Sequence, residues 1–162
     1  MTATILTIDD DRRFLKVLQN VLREDPDFQL VGEAANGEQA IRRIQELQPD
    51  VVLVDIVMPT LSGFDTMRRI KHRWPEIKII LVTAHPEPEY AMAAFKNGAD
   101  GFIEKQRLAG ALVRVMRQLT EKRNETIARA RPNSLHRGKN QEVDKEDDRF
   151  FFVARPIRQY GD

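Results

Sequence analysis

The chain of 162 residues is 41% hydrophobic and 31% charged, which suits one globular domain of ordinary size with a segment left over. It has no cysteine, so a disulfide framework and thiolate metal sites are excluded and a reducing compartment, the cytoplasm, is expected. The net charge of +1 gives no reason by itself to expect nucleic acid, and no run is built like a signal-peptide core or is long enough to span a bilayer.

In chain order, short apolar runs alternate with stretches of helical period. ATILTI (3–8), FQLVGEA (28–34), VVLV (51–54), KIILVTA (78–84) and GFI (101–103) read as strands, being short, rich in β-branched or aromatic residues and bounded by turn residues. Phe14, Leu15, Leu18, Val21 and Leu22 share one face of a first helix that ends before Pro26. Ala40, Ile41, Ile44 and Leu47 share a face of the second, opened by Asn36 as cap with Gln39 three residues on, like a capping box. Phe64, Met67 and Ile70 mark a third that stops before Pro75, and Tyr90, Ala91, Ala94 and Phe95 a fourth that stops at Gly98. Leu108, Leu112, Val115 and Leu119 form the stripe of a fifth helix. These elements define a domain over residues 1–120. In the extension, 121–162, the helix is expected to continue as a solvated rod to about residue 131. A polar, disordered stretch and the aromatic segment 150–160 follow.

Five strand–helix units in succession imply right-handed crossovers and a five-stranded parallel sheet, doubly wound, in the α/β class. Buried strands account for the runs VVLV and IILV. Ligands in such sheets sit beyond the carboxyl ends of the strands, where the winding reverses. Asp9 and Asp10 follow the first strand there, Asp55 ends the third, Thr83 ends the fourth and Lys105 follows the fifth. Each has an ordinary reading when taken alone: Asp9 and Asp10 as helix caps, Thr83 as a strand-end residue, Lys105 as a solvated cation. Taken together, three carboxylates at one edge repel unless a cation compensates, and oxygen ligands without His or Cys suit Mg²⁺. Lys105 adds a fixed positive charge and Thr83 a hydroxyl, a set that matches a phosphoryl group. An Asp carboxylate can serve as the nucleophile that accepts one.

The blocks TIDDDRRF, VVLVDIVMPTLSGFD, LVTAH and GADGFIEK, in this order and spacing, resemble the receiver domain of bacterial response regulators of two-component signal transduction, over about residues 3–120. The resemblance implies a flavodoxin-like sheet of order 2-1-3-4-5 and a phosphorelay function. Asp55 would be the phosphoacceptor of this phosphoprotein, charged by a histidine kinase or histidine phosphotransferase. Asp10, Asp55 and the backbone carbonyl of Val57 would hold magnesium, with Asp9 assisting through water. Thr83 and Lys105 would grip the phosphoryl oxygens. Phe102 would take the aromatic position that turns inward as Thr83 moves, alongside its ordinary reading as core packing. Gln106 stands where many relatives have proline, and Val57 and His85 occupy positions that in the family tune the access of hydrolytic water.

The reading is therefore a stand-alone phosphoacceptor that assists its own phosphorylation and dephosphorylation and is not otherwise an enzyme. One alternative is an aspartate-nucleophile phosphatase, which would need a second carboxylate where Val57 stands. The other is the receiver part of a DNA-binding transcription regulator whose output domain is absent. Against that, the residues after Leu119 show no second apolar periodicity, and from Glu121 onward ten Lys and Arg face eight Asp and Glu, so no nucleic acid partner is expected and no membrane. A homodimer through the fourth helix, fifth strand and fifth helix is expected. The tail reads either as a disordered segment or one folded back on the domain, or as a peptide that docks on a protein partner, with Phe150 to Val153 as its apolar anchor.

Overall fold

The computed structural model describes residues 2–58, 62–85 and 87–129, with 120–129 given as backbone alone. Five strands, β1 (Ala3–Ile8), β2 (Phe28–Ala34), β3 (Val51–Asp55), β4 (Lys78–Thr83) and β5 (Gly101–Glu104), alternate with α1 (Arg12–Arg23), α2 (Gly37–Leu47), α3 (Gly63–Arg73), α4 (Pro88–Lys96) and α5 (Leu108–Arg129). All the strand pairs are parallel and the order is β2-β1-β3-β4-β5, the flavodoxin-like topology that the family resemblance implies. The chain leaves β1 towards β2 and returns to the other side of β1 as β3, so the winding reverses between β1 and β3. The expected disordered stretch and the aromatic segment 150–160 lie outside the described residues, as does the expected end of the last helix near residue 131.

Period-two alternation sorts the strand residues onto two apolar layers. Leu6, Ile8, Val52, Val54, Ile79, Leu81 and Phe102 face a layer closed by α2, α3 and α4, with Ala40, Ile44, Met67, Ile70 and Ala94. Ile5, Val51, Leu53, Ile80, Val82 and Ile103 face a layer closed by α1 and α5, with Phe14, Leu18, Leu22, Leu112, Val115 and Leu119. Both faces of the sheet are covered, which is why β3 and β4 can be apolar at nearly every position.

The helix starts follow local hydrogen-bond chemistry. The Asn36 side chain accepts from the Gln39 amide at 2.9 Å, and Gln39 Oε1 reaches back to the Ala35 amide at 2.6 Å, one residue beyond the reciprocal partner of a standard capping box. At α1 the cap is Asp11, whose carboxylate accepts from the Arg13 and Phe14 amides, so neither Asp9 nor Asp10 caps that helix. Helix α4 ends as its glycine requires, with Gly98 at φ +99° and its amide donating to Phe95. Tyr90, expected on the buried face of α4, is 37% exposed because the small side chains of Ala91 and Ala94 carry the contact with the sheet.

Candidate functional site

At the carboxyl edge of the sheet, β1 runs out into Asp9 and β3 ends on Asp55, the two strands flanking the reversal of winding. Asp55 is the last residue of a strand buried at every position and is itself only 6% exposed; Asp9 is 3% exposed, whereas Asp10 faces solvent. One carboxylate oxygen from each of Asp9, Asp10 and Asp55 lies within 4.8 Å of the others. Lys105, which opens a short 3-10 turn after β5, brings its ammonium to 3.0 Å from Asp55 Oδ2 and 2.6 Å from Asp9 Oδ2. The close Asp9 contact is an ion pair without hydrogen-bond alignment, so Oδ2 keeps an unspent acceptor. The second oxygens are held by the backbone: the Asp11 amide donates to Asp9 Oδ1 at 2.8 Å and the Val57 amide to Asp55 Oδ1 at 3.1 Å.

Burial pushes the Asp9 carboxyl above its ordinary value and the charge of Asp55 adds to this, while Lys105 and the Asp11 amide offset part of it. Burial also works against the Lys105 ammonium, but its contacts with Asp9 and Asp55 outweigh the desolvation and hold its pKa above normal. Three acids against one lysine leave the cluster short of positive charge. Closely spaced hard oxygens with a buried, unaligned acceptor among them are a donor set that fits Mg²⁺.

Thr83 is fully buried at the end of β4, and its hydroxyl is engaged locally: it donates to the His85 carbonyl at 3.1 Å and accepts from the His85 amide at 3.0 Å. By strand parity Thr83 and Phe102 belong to the α2–α4 layer, whereas Asp9 and Asp55 belong to the α1–α5 side. Phe102 is 4% exposed and packed in that layer while the Thr83 hydroxyl is still turned to His85. Inward packing of the ring thus coexists with a Thr83 hydroxyl that is hydrogen-bonded to the His85 backbone. Val57 is exposed beside the site, and Met58 is half-buried.

Of the side chains singled out from the sequence, Asp9, Asp10, Asp55 and Lys105 come together at the carboxyl edge, Thr83 ends β4 at that edge on the opposite face, and Phe102 lies deeper on that face, in register with Leu81. Three further residues shape the site. Asp11 caps α1 beside the acids, and its pull on charge is visible in a carboxyl held below its ordinary value by the Arg13 amide. The backbone of α3 begins against β3 at Gly63, where an added Cβ would collide with the Asp55 carbonyl and lie 2.8 Å from Ile56 Cα. The Phe14 ring lies 4.5 Å from the Lys105 ammonium. The first two had a sequence signal, a third acid before a helix and a glycine after a strand. The third had none, because the spacing of Phe14 reads only as a buried helical position.

The model of the response regulator receiver domain matches residues 5–117. The transcriptional regulatory protein DegU of Brevibacillus brevis is 30% identical over 117 residues, which cover 72% of this chain and 50% of DegU. The nitrate/nitrite response regulator protein NarL of Escherichia coli K12 is 30% identical over 165 residues, covering 96% of this chain and 76% of NarL. Among solved structures, the response regulator domain of Thermotoga maritima CheB superposes with a TM-score of 0.68 at 28% identity, over 75% of this chain and 98% of that one. The chain spans about half the length of DegU. With the fold, the strand-end acids and the match over residues 5–117 in agreement, the chain belongs to the response regulator receiver domain family.

Proposed function

We propose that Asp55 accepts a phosphoryl group from a phosphohistidine of a sensor kinase or phosphotransferase in a magnesium-dependent reaction, and that the resulting charge changes which partner the domain binds. Asp55 itself carries this reading: its carboxylate is nearly buried at the end of β3, with a lysine at 3.0 Å and two further acids beside it. A carboxylate oxygen attacks phosphorus and the phosphorus–nitrogen bond of the donor breaks. Its electron pair stays on the imidazole, which takes a proton from solvent, and an acyl phosphate remains on Asp55. Lys105 moves its charge from the carboxylate to the phosphoryl oxygens, a short displacement from where it already sits. Thr83 exchanges the His85 carbonyl for a phosphoryl oxygen by rotating its hydroxyl. Asp10, Asp55 and the Val57 carbonyl would hold Mg²⁺, with Asp9 assisting through water, and the ion supplies positive charge that lowers the cost of bringing phosphate to an acidic pocket.

Val57 offers no acid or base two residues after Asp55, which supports an acceptor over a phosphatase that turns over. Phe102 is the aromatic half of the switch: in this reading it samples positions in and out of its layer until Thr83 moves towards the phosphoryl group and retains it. The face of α4, β5 and α5 would change with it and serve a homodimer, with Met92 exposed on α4. Residues 1–120 form the receiver unit and 121–162 an extension that docks a protein partner, in the cytoplasm. Fluorine NMR tests the site directly: with Mg²⁺, beryllofluoride should give a bound signal that Asp55→Asn abolishes. A bound signal that survives the substitution would place the acceptor elsewhere.

A second reading, the receiver segment of a DNA-binding regulator, is favoured by the 30% identity to DegU, a transcriptional regulatory protein of which this chain matches 50%. The mass of the protein in its source cells separates the two readings. A species near 18.7 kDa supports a stand-alone receiver, and a larger one with a helix-turn-helix segment supports the regulator.

A further inference from the structure

Phe14 is 7% exposed and belongs to the α1–α5 layer, where its ring also meets a charged group. The Lys105 ammonium sits 4.5 Å from the ring centroid, with Asp9 Oδ2 at 2.6 Å and Asp55 Oδ2 at 3.0 Å as its anionic neighbours. An ammonium within about 6 Å of an aromatic face is attracted by the ring quadrupole, and more strongly where water is excluded. The ring is held by the acids it serves. The Asp9 carboxylate accepts from the Asp11 amide, Asp11 accepts from the amides of Arg13 and Phe14, and this sets the first turn of α1 and the height of the Phe14 ring under Lys105.

We propose that Phe14 is a positioning residue for Lys105, an aromatic floor that keeps the ammonium beside Asp55 when the carboxylate becomes an acyl phosphate. This role rests on the reading of Asp55 as phosphoacceptor. Lysine is a flexible cation, and once Asp55 becomes an acyl phosphate the charge that held it in the resting site moves outward from the carboxylate to the phosphoryl oxygens. A ring that attracts the charge without forming a hydrogen bond leaves the ammonium's donors free to follow the phosphoryl oxygens. An aliphatic residue of similar size would fill the same layer but would desolvate the ammonium without compensating it.

Graded fluorination of the ring at position 14 weakens the quadrupole with little change of volume. With acetyl phosphate and Mg²⁺, the labelling rate of Asp55 should fall step by step along the series, reaching about fivefold for the trifluorinated ring. Phe14→Leu should slow labelling similarly and Phe14→Tyr should restore it. In a Lys105→Met background the same series should be flat, since a merely structural ring would act in both backgrounds. The resting contact has its own readout, an upfield ring-current shift of the Lys105 ε-methylene protons that Phe14→Leu removes. Normal Asp55 labelling with no dependence on fluorination, or an equal dependence without Lys105, would overturn the positioning role. Failure of the unsubstituted protein to label at Asp55 would instead overturn the acceptor reading and the role with it, with the ring-current shift still reporting the contact.

Discussion

Asp9 shows how a single side chain can be placed against its own folding preference. Its carboxyl is 3% exposed, burial raises its pKa above the ordinary 3.8, and Asp55 repels it further. A raised carboxyl pKa means that the folded protein holds the proton more tightly than the unfolded chain. Stability therefore falls as pH rises from about 3.8 through the raised value, and at neutral pH the charge is a net cost. Asp9→Asn keeps an oxygen for the Asp11 amide and removes the charge, so in the absence of divalent ions it should stabilise the protein by about 1 kcal/mol. Its advantage over the parent should shrink towards acid pH. Urea midpoints in the presence of a chelator at several pH values measure this; a variant less stable than the parent at pH 7 would show that the Lys105 ion pair outweighs burial.

At the level of elements, α3 depends on one position without a side chain. Gly63 starts the helix where its backbone amide donates to the Ile56 carbonyl at 3.0 Å, directly against the end of β3. A methyl group there meets backbone and not a flexible side chain, so neither partner can yield cheaply. Gly63→Ala should cost about 1–3 kcal/mol and shift the Asp55 amide resonance, as seen by denaturation and NMR. Unchanged stability would mean that α3 can slide along β3. The sequence alone placed all five strands to within a residue or so, because buried parallel strands leave short β-branched runs that few other structures produce. It placed the strand-end acids for the same reason. It missed the Asp11 cap because three successive acids offer equivalent side chains and only the backbone path selects one. It missed the fit of Gly63 against Asp55 because a serine–glycine pair reads first as a turn.

Over the whole molecule, the site joins elements that are remote in sequence. β1, β3 and the turn after β5 meet only when the sheet is complete, so occupancy of the acidic cluster should stabilise the entire fold. Binding to the folded state alone adds about 2.7 kcal/mol at a hundredfold excess over Kd, so Mg²⁺ should raise the thermal midpoint in a concentration-dependent way. Asp10→Asn removes an exposed carboxylate of the cluster with little effect on packing and should lose most of that rise. An equal rise in the variant would put the ion at another place. Whether the buried carboxylate ending β3 takes up the phosphoryl group is decided by intact-mass measurement after treatment with acetyl phosphate and Mg²⁺. The parent protein should gain the mass of one phosphoryl group, lost in acid or on treatment with hydroxylamine, and Asp55→Asn should gain none; equal labelling of the variant would mean that Asp55 is not the acceptor.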